Sequence, residues 1–491
     1  MTPPNILIFM TDQEQGAVVE PGHPCLTPNA DRLAADGIRF SQAYTPSAHC
    51  CPARATFFSG LYPSRHGVYN NVGNPQAIHR GLNPGVVTFG EGLRDAGYEL
   101  AFSGKWHASE LEGPADRGWR ELHVTAGKGT YQAREMDMWQ RRARELREQE
   151  RQPRKGGEIK RPGWGDYRLY GAYPTDDPKG YEGHRDYRVV SAAVEALPEL
   201  AASGRPWCLY AGTIGPHDPF IIPERYARMY DPADVPLPPS FGDSLEDKPR
   251  VYARMRRQIW DQLGEDEVRD SIAHYWGFCT MMDDMLSEVL AALDRTGQAG
   301  NTVVVFLSDH GDYCGAHGLY LKGVPAFREA YHVPLIIRWP DGLKDSGRVV
   351  NQFVTLADFA PTFLGLAGAS VPDGLCGRSL APFLRGETPP DWPDDLYTQM
   401  NGVELYYTQR SVSTTDYKYV YNGFDEDELY NLRTDPAEMV NLAQAPEMDG
   451  VKRDLVRRMW QLAAQHHDTI FNQYPTTALA PYGPAVALWD E

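Results

Sequence analysis

Four short apolar runs, each stopped by residues able to do chemistry, constrain this chain more than any other feature. Residues 6–10 end at Thr11-Asp12-Gln13. Residues 98–102 end at Gly104-Lys105-Trp106-His107. Residues 207–211 lead to His217-Asp218, and residues 302–307 end at Ser308-Asp309-His310. Uninterrupted apolar runs of this length suit strands covered on both faces, as in a parallel sheet. Helical signals alternate with them. Thr27-Pro28 opens a segment through Leu33 that stops at Gly37, and Thr88 to Gly97 repeats the pattern. Residues 281–293, apolar at spacings of three and four, read as a third helix ending near Gly297. The alternation predicts an α/β fold: a large, doubly wound, mostly parallel sheet flanked by helices.

The 491 residues exceed a modal domain about threefold. We expect a catalytic domain over 1–385 and a smaller α+β domain with a short antiparallel sheet over 386–491. A connector with Pro389, Pro390 and Pro393 precedes a strand at 417–421 and a final helix at 451–466. Residues 127–185, with a basic-acidic helical tract from Arg134 to Arg154, read as a surface insertion, and 225–250 as a Pro- and Asp-rich loop. An apolar fraction of 42% excludes disorder. The 48 basic against 66 acidic residues give a net charge of −18, which disfavours nucleic acid and anionic membranes as partners while leaving room for a local basic pocket. Seven sparse cysteines form no disulfide framework. Neither a signal-peptide pattern nor a run of ~18 apolar residues is present, so the expectation is a cytoplasmic protein without a membrane span. Oligomeric state is not legible.

Ligands of open α/β sheets bind beyond the carboxyl ends of the strands, so the four strand ends define one expected site. Asp12 and Asp309 are hard oxygen donors, Gln13 offers a carbonyl oxygen and His310 a ring nitrogen; together they suit a divalent cation such as Ca²⁺. Lys105 is a point charge for an anion. His107 and His217 are candidates for general acid and base. A further segment reads Cys50-Cys51-Pro52-Ala53-Arg54 and closes at Gly60. Pro52 belongs early in a helix, so Cys50 stands at a helix N-terminus, where free N–H groups favour an anion. Arg54 lies one turn in and can reach back. Two readings stand: a buried cysteine at a cap, or an activated nucleophile.

This segment resembles the signature C-x-P-x-R of the type I sulfatases of the alkaline phosphatase superfamily, with Ala53 where Ser is usual. The resemblance extends through Gly104-Lys105-Trp106-His107, Gly215-Pro216-His217-Asp218-Pro219, Ser308-Asp309-His310-Gly311-Asp312, Gly315-Ala316-His317-Gly318, Lys322 and Val333-Pro334-Leu335. Glu428-Leu429-Tyr430-Asn431-Leu432 follows near the C-terminus. It implies that Cys50 is oxidised to formylglycine by a formylglycine-generating or equivalent maturation enzyme. Asp12, Gln13, Asp309, His310 and the modified Cys50 would be the metal ligands. Many relatives carry Asp-Asp and Asp-Asn where this chain has Asp12-Gln13 and Asp309-His310, which leaves Mg²⁺ or Mn²⁺ as alternatives to Ca²⁺. The implied reaction is hydrolysis of a small aryl, sugar or alkyl sulfate. One hydroxyl of the hydrated aldehyde attacks sulfur, while Lys105 and Lys322 hold the sulfate oxygens. His217 protonates the leaving oxygen. His107 deprotonates the remaining hydroxyl to expel sulfate, and Arg54 orients the nucleophile. A phosphonate monoester or phosphodiester hydrolase is the alternative within the superfamily; that branch lacks the Lys-x-His pair kept here at 105 and 107. A binding protein with an unmodified Cys50 is the alternative outside catalysis.

Overall fold

The computed structural model describes residues 3–74, 76–129, 152–161, 165–402, 406–423, 425–479 and 482–487. The central sheet has eight strands: β1 Asn5–Asp12, β2 Ile38–Phe40, β3 Glu99–Lys105, β4 Arg120–Thr125, β5 Trp207–Pro216, β6 Thr302–Ser308, β7 Leu335–Arg338 and β8 Arg348–Val350. Their order is β8-β2-β7-β6-β1-β5-β3-β4. Neighbours run parallel except that β7 is antiparallel to both β6 and β2. The sheet is therefore mixed and mostly parallel. The period-2 alternation of β1 sends Ile6, Ile8 and Met10 to one core and Leu7 and Phe9 to the other, which is why its sequence is apolar without interruption.

Each face is covered by helices. On one side α1 Pro28–Ala35, α4 Arg185–Ala202 and α5 Glu265–Arg295 pack over Leu7, Phe9, Leu209 and Phe306. On the other lie α2 Cys50–Ser59, α3 Phe89–Asp95 and α6 Phe359–Leu366, with Phe57, Phe58, Phe89, Phe359 and Phe363 forming an aromatic cluster. Thr88 stands at the start of α3 as the sequence pattern leads one to expect, and the structure adds a capping box with Glu91.

Helix α5 corrects the sequence reading. It begins at Glu265, far before residue 281, and runs for 31 residues. Its first half carries Tyr275, Trp276, Gly277 and Phe278, residues of modest helix propensity; burial of that half holds it helical. Gly277 is required by packing, since a Cβ there would stand 2.4 Å from the Tyr226 carbonyl oxygen.

The segment 225–250 is not a plain loop. It begins within the short helix Glu224–Ala227 and contains a turn at Pro232–Asp234. The tract 134–154 lies outside the described residues except for its last three. The described remainder of that insertion is not a surface decoration, because Ile159, Leu169, Tyr170 and Tyr181 enter the main core.

In the C-terminal region β9 Asp395–Met400, β10 Gln409–Thr414, β11 Tyr417–Asn422 and β12 Glu428–Asn431 form an antiparallel meander. Helix α7 Asp449–Gln465 packs on it through Leu455, Val456, Met459 and Trp460. A short helix, Gln473–Ala478, follows α7, so the helix read as final is not the last. The edge strand β9 docks on the approach to α2: Gln399 N–H donates to the Pro46 carbonyl (2.8 Å), and Gln399 Oε1 accepts from Ser64 N–H (2.9 Å).

Candidate active site

Strand pairing assembles the site. The parallel register of β1 and β6 sets Thr11 beside Ser308, so the residues that follow, Asp12 and Asp309, leave the sheet side by side. Strand β5 flanks β1 on its other side and delivers His217 one residue beyond its end, while β3 ends on Lys105. Close approach of β3 and β5 needs Gly104. Its φ is +105°, and a Cβ there would stand 1.9 Å from the Gly212 carbonyl oxygen. Above these ends sits the N-terminus of α2. His49 is its extended N-cap and Cys50 its first residue; Gly60, at φ +70°, closes it.

Cys50 Sγ lies 3.1 Å from His310 Nε2 and 3.8 Å from Asp12 Oδ1. Ligand atoms of Asp12, Cys50, Asp309 and His310 all fall within 4.8 Å of one another, and all four residues are buried. His310 Nδ1 lies 2.9 Å from the Gly311 carbonyl oxygen, so it carries the hydrogen and leaves the Nε2 lone pair facing the cluster. Two carboxylates, one imidazole nitrogen and the carbonyl oxygen of Gln13 make a donor set that fits a hard divalent cation. Arg54 spans the carboxylates. Nε donates to Asp309 Oδ2 (2.8 Å), Nη2 to Asp12 Oδ2 (3.2 Å), and Nη1 to the Lys105 carbonyl and Tyr210 Oη (2.8 Å each). Its guanidinium thus braces the two aspartates.

Burial pushes the Asp12 carboxyl up, but Lys105, His217, Arg54 and His310 together hold it well below the usual carboxylate range. Lys105 Nζ donates to Asp12 Oδ2. Burial lowers the Lys105 ammonium, but Asp12, Cys50 and Asp309 together raise it above its ordinary value, so it stays charged. His107, adjoining Lys105, is shifted the other way: burial, then the Lys105 charge, carry its imidazole well below its ordinary value. Lys322 Nζ donates to Gln13 Oε1 and lies 2.6 Å from His217 Nε2.

All ten residues expected from the sequence therefore meet beyond the carboxyl ends of four strands. Five others at the site were assigned no role by sequence reasoning. His49 precedes Cys50 and is lowered well below the usual histidine value by burial and then by Lys322. Tyr210 accepts from Arg54, and its ring stacks on Phe102 at 4.5 Å. Asp218 and Asp312 both accept from Gln13 Nε2, and Tyr167 Oη donates to Asp218 Oδ2. The two aspartates lie inside motifs visible in the sequence. Tyr167 lies in the insertion, where no strand end or spacing marks it.

The family model "Sulfatase" matches residues 4–369, and the model "N-sulphoglucosamine sulphohydrolase, C-terminal" matches residues 315–465. The chain is 32% identical to the "Uncharacterized sulfatase YidJ" of Escherichia coli over 452 residues, which is 90% of this chain and 83% of that protein. It is 28% identical to the "Multifunctional alkaline phosphatase superfamily protein PehA" of Trinickia caryophylli, covering 96% and 98%. Among solved structures, the phosphonate monoester hydrolase of Silicibacter pomeroyi shares the fold, with a TM-score of 0.76 at 23% identity over 95% of this chain and 96% of that one.

Proposed function

The chain belongs to the sulfatase family of the alkaline phosphatase superfamily, and from that membership we propose that it hydrolyses a small sulfate ester with Cys50, matured to formylglycine, as the nucleophile. The observation that carries the reading is the position of Cys50 at the mouth of α2, buried within 4.8 Å of Asp12, Asp309 and His310. Asp12, Gln13, Asp309, His310 and the matured Cys50 side chain would hold a divalent ion, Ca²⁺ by the oxygen-rich donor set, with Mg²⁺ or Mn²⁺ as alternatives. When bound, the ion supplies Lewis acidity towards the nucleophile and the sulfate oxygens.

The remaining roles belong to the chain. Lys105 and Lys322 bind the sulfate oxygens and balance the charge that spreads over them in the transition state. His217 gives a proton to the departing oxygen. His107, kept neutral by burial and by Lys105, accepts the proton from the remaining hydroxyl of the nucleophile as sulfate leaves. Arg54 holds Asp12 and Asp309 in register. The Lys105-x-His107 pair favours sulfate over a phosphonate monoester.

Two measurements test this reading. A peptide mass over the Cys50 segment, from protein made in its native host, is expected to show the aldehyde; an intact thiol rules out the mechanism. Sulfate release from aryl, sugar and alkyl sulfates, set against hydrolysis of phenyl phosphonate, is expected to favour a sulfate. A large preference for the phosphonate overturns the assignment.

A further inference from the structure

We propose that Asp218 is a positioning residue of this site. Through Gln13 it decides which amide atom faces the cation, and through His217 it decides which ring nitrogen keeps its hydrogen. The inference deepens the function proposed above and rests on it for the roles of Gln13 and His217.

The Gln13 amide has one acceptor end and one donor end. Nε2 donates to Asp218 Oδ1 at 3.0 Å and to Asp312 Oδ2, while Oε1 accepts from Lys322 Nζ. The Asp218 carboxylate can accept only from the NH₂ end, so it fixes the amide with its oxygen turned to the cationic side. A flipped amide would put its oxygen against that carboxylate and offer a cation the nitrogen, which is no ligand. The same carboxylate explains the residue type. A carboxylate at position 13 would face the Asp218 carboxylate directly, and like charges at hydrogen-bond distance are strongly unfavourable. An amide supplies the ligand oxygen without that repulsion.

On its other flank Asp218 addresses the acid. His217 Nδ1 lies 2.7 Å from the Asp218 carbonyl oxygen and 3.2 Å from Asp218 Oδ1. Both are acceptors, so Nδ1 keeps its hydrogen and Nε2 is the nitrogen that exchanges a proton, 2.6 Å from Lys322 Nζ. The second carboxylate oxygen, Oδ2, accepts from Tyr167 Oη. Tyr167 sits in the short strand Tyr167–Arg168, with the Arg161 guanidinium 4.7 Å from its ring centroid. Among the described residues, the insertion thus reaches the machinery through the Tyr167 hydroxyl, which fixes the rotamer of Asp218 between its two clients.

The test uses the full-length matured enzyme and the variants Asp218→Asn, Tyr167→Phe, Gln13→Glu and the double variant Gln13→Glu/Asp218→Asn. Chelated protein is titrated with Ca²⁺, Mg²⁺ and Mn²⁺ alone by calorimetry, and turnover is measured on aryl sulfates of graded leaving-group acidity. Asp218→Asn is expected to weaken binding of the preferred ion about tenfold. It is also expected to steepen the leaving-group dependence, losing far more on esters of weakly acidic phenols than on nitrophenyl sulfate. Gln13→Glu is expected to weaken ion binding about tenfold, and the double variant to recover at least about threefold of that loss, since the amide introduced at position 218 can donate to the new carboxylate. Tyr167→Phe leaves the folded core intact and is expected to move both readouts the same way, by about threefold; it carries the test if Asp218→Asn does not fold. Unchanged ion affinity together with an unchanged leaving-group slope in Asp218→Asn overturns the proposal, as does a double variant no better than Gln13→Glu. If the parent enzyme turns over no sulfate ester, the function is wrong, and the ion-binding arm still decides the role of Asp218 towards Gln13.

Discussion

Arg54 shows how much one side chain can be asked to do. No part of it is exposed, and its donors reach both aspartates, the Lys105 carbonyl and the Tyr210 hydroxyl. Only a planar fork reaches four acceptors at once, so lysine is no substitute. Arg54→Met leaves two buried carboxylates without their shared cation. The expected cost is about 3–5 kcal/mol in urea unfolding of the metal-free protein, with loss of turnover; a variant within about 1 kcal/mol of the parent removes the argument. Asp12, Asp309, Lys105 and Cys50 were legible because each follows a strand run or opens a helix. The bracing of one by another was not, because hydrogen bonds across about 250 residues leave no local mark. His49 and Tyr167 were missed for a related reason: a cap position and an insertion carry no period that singles out one side chain.

At the level of elements, Gly104 makes the clearest prediction. It lies one residue before Lys105 at φ +105°, against the Gly212 carbonyl. Gly104→Ala adds backbone strain and a clash with main chain that cannot move aside, together about 2–6 kcal/mol. Gly97→Ala is the control: φ there is +92°, but nothing lies within 4 Å of the added Cβ, so only strain of about 1–2 kcal/mol remains. Thermal unfolding of the pair should rank them in that order; equal losses would mean that the close approach of β3 and β5 is not what Gly104 serves. Helices α1 and α3 could be read from their caps, whereas the first half of α5 could not. Its aromatic and glycine residues defeat propensity, and tertiary packing, with the Glu267 capping box at its start, makes it helical.

Across the whole molecule, the parallel core was legible because strands covered on both faces cannot alternate polar with apolar residues. The reversal of β7 was not, since its three apolar residues, Leu335, Ile336 and Ile337, read the same in either direction. The C-terminal meander is closed by a buried pair. Arg410 Nε and Nη2 reach Asp468 at 2.5 and 3.0 Å, and Tyr397 Oη donates to the same carboxylate at 2.8 Å. Burial pushes the Asp468 carboxyl up, but Arg410 and these hydrogen bonds hold it below its ordinary value. Its contribution to stability is thus full above the unfolded value of about 3.9 and lost as pH falls through the folded value. Asp468→Asn should cost about 3–5 kcal/mol near neutrality, and the gap between variant and parent should narrow as urea unfolding is repeated at lower pH. A gap that stays constant with pH would show that the charge is not what holds the pair.

The burial of Cys50, 1% exposed beneath residues supplied by β6, carries a consequence in time. Asp309 and His310 leave the ribosome roughly 13–52 s after Cys50 at ~5–20 residues per second. Until then the thiol lacks the two β6-end residues that help to bury it in the folded chain. If Cys50 is matured as proposed, its conversion is a race against synthesis, and a chain that loses it would be sealed in its unreacted form.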